Sequence, residues 1–164
     1  MQKGFATLEV VLVILIIAVL ASCAVPNAVR VLDSVSLDCE TKRLYTELRH
    51  IQSYDRMKQM DDKHFKDNAD TLPLNFEIKE TYYLLKQTSP EKIYKQHFLP
   101  KGFKLSYPAA MDFSYIKFDD MGKPQASNNT TLNGHMILTS RLGKQRYFAF
   151  DSVGRFRGSR TKPQ

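Results

Sequence analysis

The stretch that decides the fold is Lys3-Gly4-Phe5-Ala6-Thr7-Leu8-Glu9, followed by Val10-Val11-Leu12-Val13-Ile14-Leu15-Ile16-Ile17-Ala18-Val19-Leu20-Ala21. From Phe5 to Val25 the apolar segment is about 31 Å long as an α-helix, enough to span a bilayer. Glu9 lies inside it, and an acidic residue at the centre of a membrane helix costs roughly 2.5–3.5 kcal/mol. A simple anchor does not need that charge, so Glu9 is predicted to have a function and a charged partner.

Beyond the apolar run, the chain continues as a one-sided helical pattern. Apolar residues recur at helical spacing in one set, Leu37, Leu44, Leu48 and Ile51, and in a second set, Val29, Leu32, Ser36 and Cys39. Pro26 removes one backbone hydrogen bond and is expected to kink the helix without ending it. The sequence predicts one helix from about Phe5 to about Met57, membrane-spanning over 5–25 and amphipathic over 26–57.

The C-terminal part has a period of two, which is typical of half-buried strands. The predicted strands are 72–78, 82–86, 94–98, 103–107, 113–118, 132–140, 145–151 and 155–158. Short strands with turns at this spacing indicate antiparallel sheets. We therefore predict an α+β fold in which the long helix packs on an antiparallel β-sheet or β-sandwich head over 71–158. A charged linker over 59–70 precedes the head, and a basic tail over 159–164 follows it.

The net charge of +7 is concentrated at the C-terminal end. Arg155 and Arg157 are two residues apart and are expected to share one face of the last strand. Arg146, on the preceding strand, is expected to join them, and Arg160 and Lys162 extend the group. Paired arginine donors suit phosphate, so these residues are a candidate DNA-binding patch. The alternatives are a solvated strand edge that prevents aggregation, or contact with anionic lipid or another subunit.

The two cysteines offer a different interpretation of the N-terminus. Cys23 and Cys39 are about 24 Å apart on a continuous helix, whereas a disulfide needs Cα atoms within about 7 Å. Leu20-Ala21-Ser22-Cys23 resembles a lipoprotein processing box with a lipidated Cys23. Glu9 would then have no role in the signal, and an amphipathic helix would replace the usual flexible tether. Both points favour the spanning helix.

The sequence contains no recognisable catalytic motif. Its four histidines are isolated, no spacing suggests a metal site, and no glycine-rich phosphate loop or nucleophile elbow is present. We therefore expect a protein that is not an enzyme and that needs neither a cofactor nor a metal.

The N-terminal residues Lys3, Gly4, Phe5, Thr7, Leu8 and Glu9, the apolar run and Pro26 resemble the N-terminus of type IV pilins and pseudopilins. The resemblance implies cleavage after Gly4 by a prepilin peptidase and N-methylation of Phe5. It also implies that Glu9 pairs with the Phe5 amine of a neighbouring subunit. The protein would be a single-pass protein of the cytoplasmic membrane with an extracytoplasmic head.

The C-terminal half is similar to the heads of minor pseudopilins from type II secretion and competence systems. The matching stretches are Leu99-Pro100-Lys101-Gly102, Ile116-Lys117-Phe118-Asp119-Asp120-Met121-Gly122, Arg146-Tyr147-Phe148-Ala149-Phe150 and Gly154-Arg155-Phe156-Arg157. Related minor pilins of DNA-uptake pili carry similar Gly-Arg-x-Arg ends, so the resemblance adds DNA binding as an expected role.

The expected function is that of a structural subunit of a pilus-like filament for DNA uptake. One alternative is a pseudopilin of type II protein secretion, and a further one is a lipoprotein binding module lipidated at Cys23. The expected partners are other pilins or pseudopilins, the prepilin peptidase, membrane lipid and DNA.

Overall fold

The computed structural model describes the backbone of residues 2–62, 74–88, 91–107 and 115–162, and the side chains of 8–57, 74–87, 91–107 and 115–162. The chain divides into two compact units, Met1–Ser36 and Leu37–Gln164. Within the described residues the elements are α1 (Gln2–Asp62), β1 (Asn75–Ile78), β2 (Tyr82–Thr88), β3 (Glu91–Phe98), β4 (Lys104–Ser106), β5 (Tyr115–Phe118), β6 (Pro124–Gln125), β7 (Gly134–Thr139), β8 (Gln145–Phe150) and β9 (Phe156–Ser159).

The first unit is the N-terminal part of α1. All side chains of residues 8–28 are exposed, and the helix is long and apolar enough to cross a membrane. Pro26 lies inside α1, as predicted. Cys23 in this unit is an exposed free thiol, and so is Cys39 in the second unit.

Helix α1 extends further than the sequence pattern indicated. The predicted end was about Met57, whereas α1 ends at Asp62. Lys58, Gln59 and Met60 are good helix formers, and no glycine or proline follows before Pro73, so nothing local stops the helix at Met57. The rest of the predicted linker lies outside the described residues.

The second unit contains two antiparallel sheets. The first has strand order β3-β2-β1-β5-β6 and the second β4-β7-β8-β9, and every neighbouring pair is antiparallel. The α+β layout with a long N-terminal helix and antiparallel sheets is therefore confirmed. Most strand bounds lie within three residues of their predicted positions, although residues 72–73 and 113–114 of the predicted strands are outside the described residues. The pattern missed β6, because two residues are too few to show a period of two.

The core of the second unit confirms one of the two helical stripes. Leu37, Leu44, Leu48 and Ile51 are 0–2% exposed and pack with buried apolar residues of both sheets. The second stripe is not buried: Leu32 is 61% exposed and Cys39 is exposed. Leu32 precedes Leu37 by five residues, which turns its side chain about 140° away from the buried face.

Four tight turns in the second unit share one hydrogen-bond pattern. Each turn has five residues. The amide of the first residue donates to the carbonyl of the fifth, and the amide of the fourth residue donates to the carbonyl of the first, at 2.8–3.2 Å. The turns span 119–123, 126–130, 140–144 and 151–155, and their fourth residues, Gly122, Asn129, Gly143 and Gly154, have positive φ angles of 77°, 64°, 79° and 86°. Glycine and asparagine accept this conformation most easily, so turn chemistry fixes the register of these hairpins.

Candidate functional site

The predicted assembly site is at the start of α1. Glu9 is exposed, and it makes no hydrogen bond or ion pair with any other described side chain. Phe5 precedes it by four residues, or about 6 Å along the helix axis. Gly4 and Phe5 lie within α1, but their side chains are outside the described set. No described side chain therefore supplies a cation for Glu9.

Arg146 is not where the sequence argument placed it. Its Nε and Nη2 atoms each lie 2.8 Å from Asp38 Oδ1 on α1, and Arg160 Nη2 lies 3.8 Å from Asp38 Oδ2. Arg157 pairs with Ala149, which is three residues from Arg146, so Arg146 and Arg157 point to opposite faces of the second sheet. The prediction that Arg146 joins Arg155 and Arg157 is wrong.

Arg155 and Arg157 line an open pocket of about 470 Å³ on the face of the second sheet away from α1. Arg155 Nε lies 2.8 Å from Asp151 Oδ2, and the Arg155 amide donates to Asp151 Oδ1 at 2.9 Å. That amide, together with the Arg155 side chain and the Val153 amide, lowers the pKa of Asp151. Among the described residues, Arg157 has no carboxylate partner, and Lys162 is exposed. The pocket therefore has less uncompensated charge than the sequence suggested.

Gln52 is a buried contact that the sequence analysis missed. Its Nε2 donates to Gly122 O at 2.7 Å and to Gly154 O at 2.8 Å, so one amide joins two turns to α1. Its Oε1 accepts a bond from Arg49 Nη1 at 3.2 Å. The two turns have related sequences, and they begin at Asp119 and Asp151. In the chain, however, Gln52 is 70 residues from Gly122 and 102 residues from Gly154. No local pattern identifies such a contact.

Within the described residues, no group of three or more His, Cys, Asp or Glu side chains is arranged to hold a metal ion. Comparison with protein-family models, curated proteins and solved structures found no match to this chain. The function must therefore be inferred from Glu9, the exposed apolar segment and the basic residues of the second unit.

Proposed function

We propose that this protein is a pilin-like subunit of a membrane-anchored, type IV pilus-like filament used for DNA uptake. The observation that carries the proposal is Glu9, a carboxylate without a described partner in its own chain, inside a helical segment whose side chains are exposed. Such a segment needs lipid or other apolar helices around it, and there an unpaired carboxylate is unfavourable. The Phe5 amine of a neighbouring copy would neutralise it after cleavage behind Gly4.

The α+β layout supports this proposal. Helix α1 provides the exposed apolar segment and also the buried stripe from Leu37 to Ile51. One element is thus suited both to a membrane or filament interior and to the core of a head. In this proposal the head is extracytoplasmic, the helix lies in the cytoplasmic membrane before assembly, and Phe5 is N-methylated.

A second candidate is a pseudopilin of type II protein secretion. The observation in its favour is that Arg146 and Arg160 contact Asp38, while Arg155 contacts Asp151. These contacts leave fewer free cations near the C-terminus for DNA. The N-terminal chemistry is the same in both candidates, so only the surface of the head distinguishes them.

The test of the filament proposal compares Glu9→Ala with the wild-type chain in the native host. The variant should insert, because its helix is more apolar. It should fail to form filaments, judged by electron microscopy and by chemical cross-linking of membranes. Mass spectrometry of the wild-type protein should show that residues 1–4 are removed and that Phe5 carries one methyl group.

Glu9→Asp is the matched control, since it keeps the charge and should retain part of the assembly. Normal filaments from Glu9→Ala would remove the pairing role. A mature chain that begins at a lipidated Cys23 would replace the proposal with the lipoprotein alternative.

A further inference from the structure

Three cations form a row along α1 that the sequence analysis did not single out. Lys42, Arg49 and Arg56 are exposed and are seven residues apart. Seven residues are nearly two helical turns, so the side chains lie in line, about 10.5 Å between neighbours and about 21 Å from end to end. Among the described residues, none of the three has a carboxylate within ion-pair distance. We call these three residues the basic track.

The middle residue of the basic track, Arg49, lies on the flank of α1 that faces β9. The Arg49 guanidinium carbon is 5.6 Å from the centre of the Phe156 ring in β9. On this flank Asp38 is already paired with Arg146 and Arg160. Asp38 therefore does not neutralise the track, although it lies only four residues before Lys42.

The opposite flank of α1 is electrostatically different. Glu40 Oε2 lies 2.9 Å from His97 Nε2, and Glu47 contacts Lys95, so acidic residues of the helix meet basic residues of β3. The helix thus directs these carboxylates to the first sheet. Among the described residues, Lys42 and Arg49 lie without a carboxylate partner beside the second sheet, and Arg56 lies without one beside the 119–123 turn. This asymmetry indicates an anionic partner on one side only.

Arg49 is held in place for such a partner. Its guanidinium carbon lies 5.4 Å from the centre of the Tyr45 ring, its Nε donates to Tyr45 Oη at 3.2 Å, and its Nη1 donates to Gln52 Oε1 at 3.2 Å. A guanidinium has five N–H donors, so three remain after these two bonds. A cation fixed by aromatic and amide contacts loses little conformational freedom when an anion binds.

Two open depressions follow the track. One, of about 360 Å³, is lined by Thr41, Lys42, Tyr45, Thr46, Phe148 and Gly158. The other, of about 500 Å³, is lined by Thr46, Arg49, His50, Gln52, Ser53 and Arg56. Thr46 borders both depressions, and it also borders a third, of about 460 Å³, on the opposite flank with Glu47 and Lys95. Open depressions beside the track suit a polymer that lies across the surface better than an enclosed small molecule.

We infer that the basic track binds the phosphate backbone of duplex DNA. This inference rests on the proposed role in DNA uptake, and it assigns the contact to α1. A 21 Å row covers about six base pairs at about 3.4 Å each. Contacts to phosphate carry no base information, so duplexes of unrelated sequence should bind alike, as an uptake filament requires.

The test measures DNA binding by the full-length protein in an uncharged detergent, using fluorescence anisotropy of a labelled duplex over a range of salt concentrations. The first variant combines Lys42→Gln, Arg49→Gln and Arg56→Gln. Each phosphate contact contributes about −0.9 to the slope of log K against log salt. The slope should therefore become shallower by about 2.7, with at least a tenfold loss of affinity at low salt.

The matched control combines Arg43→Gln, Lys92→Gln and Lys101→Gln, which removes the same charge from exposed residues outside the track. Arg43 lies about 100° around the helix from Lys42, while Lys92 and Lys101 lie in β3 and just after it. Both triple variants lose three positive charges, so the general attraction to DNA falls equally in both. Only the difference between their salt slopes therefore reports on the track. The control should keep a slope close to that of the wild type.

Arg49 packs against two rings, so a second variant keeps it. Lys42→Gln with Arg56→Gln should make the slope shallower by about 1.8 without disturbing the Tyr45 and Phe156 contacts. Thermal unfolding of each variant establishes that the head is intact.

The outcomes separate this inference from the proposed function. If the wild type binds DNA and both track variants match the control, the track is not the contact, and Arg155→Gln with Arg157→Gln should then reduce binding. If the wild type does not bind DNA at low salt, the track and the DNA-uptake role both fail. Filament membership is tested independently by Glu9→Ala.

Discussion

The contact between the 119–123 and 151–155 turns makes a direct prediction about Gly154. A Cβ atom at Gly154 would lie well under 3.0 Å from the Gly122 carbonyl oxygen and 2.9 Å from Gln52 Nε2. Gly143 has the same position in the 140–144 turn and a similar φ of 79°, but a Cβ there meets nothing within 4 Å. Gly154→Ala and Gly143→Ala therefore share the backbone strain and differ in the steric clash.

The expected losses of stability follow from the backbone strain and the steric clash. Alanine at positive φ costs roughly 1–2 kcal/mol, partly offset by about 0.4–1 kcal/mol from a less flexible unfolded chain. Gly143→Ala should thus destabilise by about 1 kcal/mol. Gly154→Ala should also displace a backbone carbonyl and break both Gln52 bonds, each worth about 1 kcal/mol. Its total should be about 3 kcal/mol.

The assay is thermal unfolding of the full-length protein in an uncharged detergent, followed by tyrosine emission. The chain has eight tyrosines and no tryptophan, and all eight lie in the second unit, so the signal reports on that unit. At roughly 3–5 °C per kcal/mol for a unit of this size, Gly154→Ala should melt about 6–10 °C below Gly143→Ala. Equal melting temperatures would refute the packing argument.

Two further predictions concern the same region and the charges around it. Gln52→Leu should destabilise by roughly 2–4 kcal/mol in denaturant unfolding, because two buried carbonyls lose their donor, whereas Ser53→Ala, which loses only an exposed bond to the His50 carbonyl, should be nearly neutral. Hydrogen bonds from the Arg155 amide lower the pKa of Asp151 from 3.8, and those from Lys79 and Lys86 lower the pKa of Glu77 from 4.5. In acid the unfolded chain therefore binds more protons than the folded chain. The stabilisation from these two carboxylates is complete above about pH 4.5, and it is lost as the pH falls through their lowered pKa values. Asp151→Asn should flatten the acid limb of stability against pH, whereas Asp120→Asn, which removes an exposed loop charge, should leave it unchanged.

Local periodicity was enough to predict the long helix and every described strand except β6. The stripe from Leu37 to Ile51 is visible in the sequence because helical spacing places those residues on one face. Strands such as β5 and β7 are visible because their side chains alternate between two environments, whereas β3 is exposed along nearly its whole length. The order of strands in the sheets was not predicted, since it depends on contacts between residues far apart in the chain. The Gln52 bonds to two distant turns are of the same kind.

The position of Arg146 could have been predicted from the same alternation. Arg146 precedes the buried Phe148 and Phe150 by two and four residues, so in a strand it faces the same side of the sheet as they do. Arg155 and Arg157 flank the buried Phe156 and therefore face the other side. The pattern thus placed Arg146 on the apolar face and the other two off it. A cation on that face needs a carboxylate, and Asp38 supplies one.

The distribution of charge in the sequence is a poor guide to its distribution in space for a physical reason. The C-terminal cations lie beside Asp38 and Asp151, and these carboxylates compensate Arg146, Arg160 and Arg155 in part or in full. The middle of the chain nearly balances in number, but the carboxylates of Glu40 and Glu47 are directed to β3. Glu40 and Glu47 are thus paired with basic residues distant in sequence, and the cations of the basic track, which have no carboxylate partner among the described residues, lie along α1, where the sequence is close to neutral.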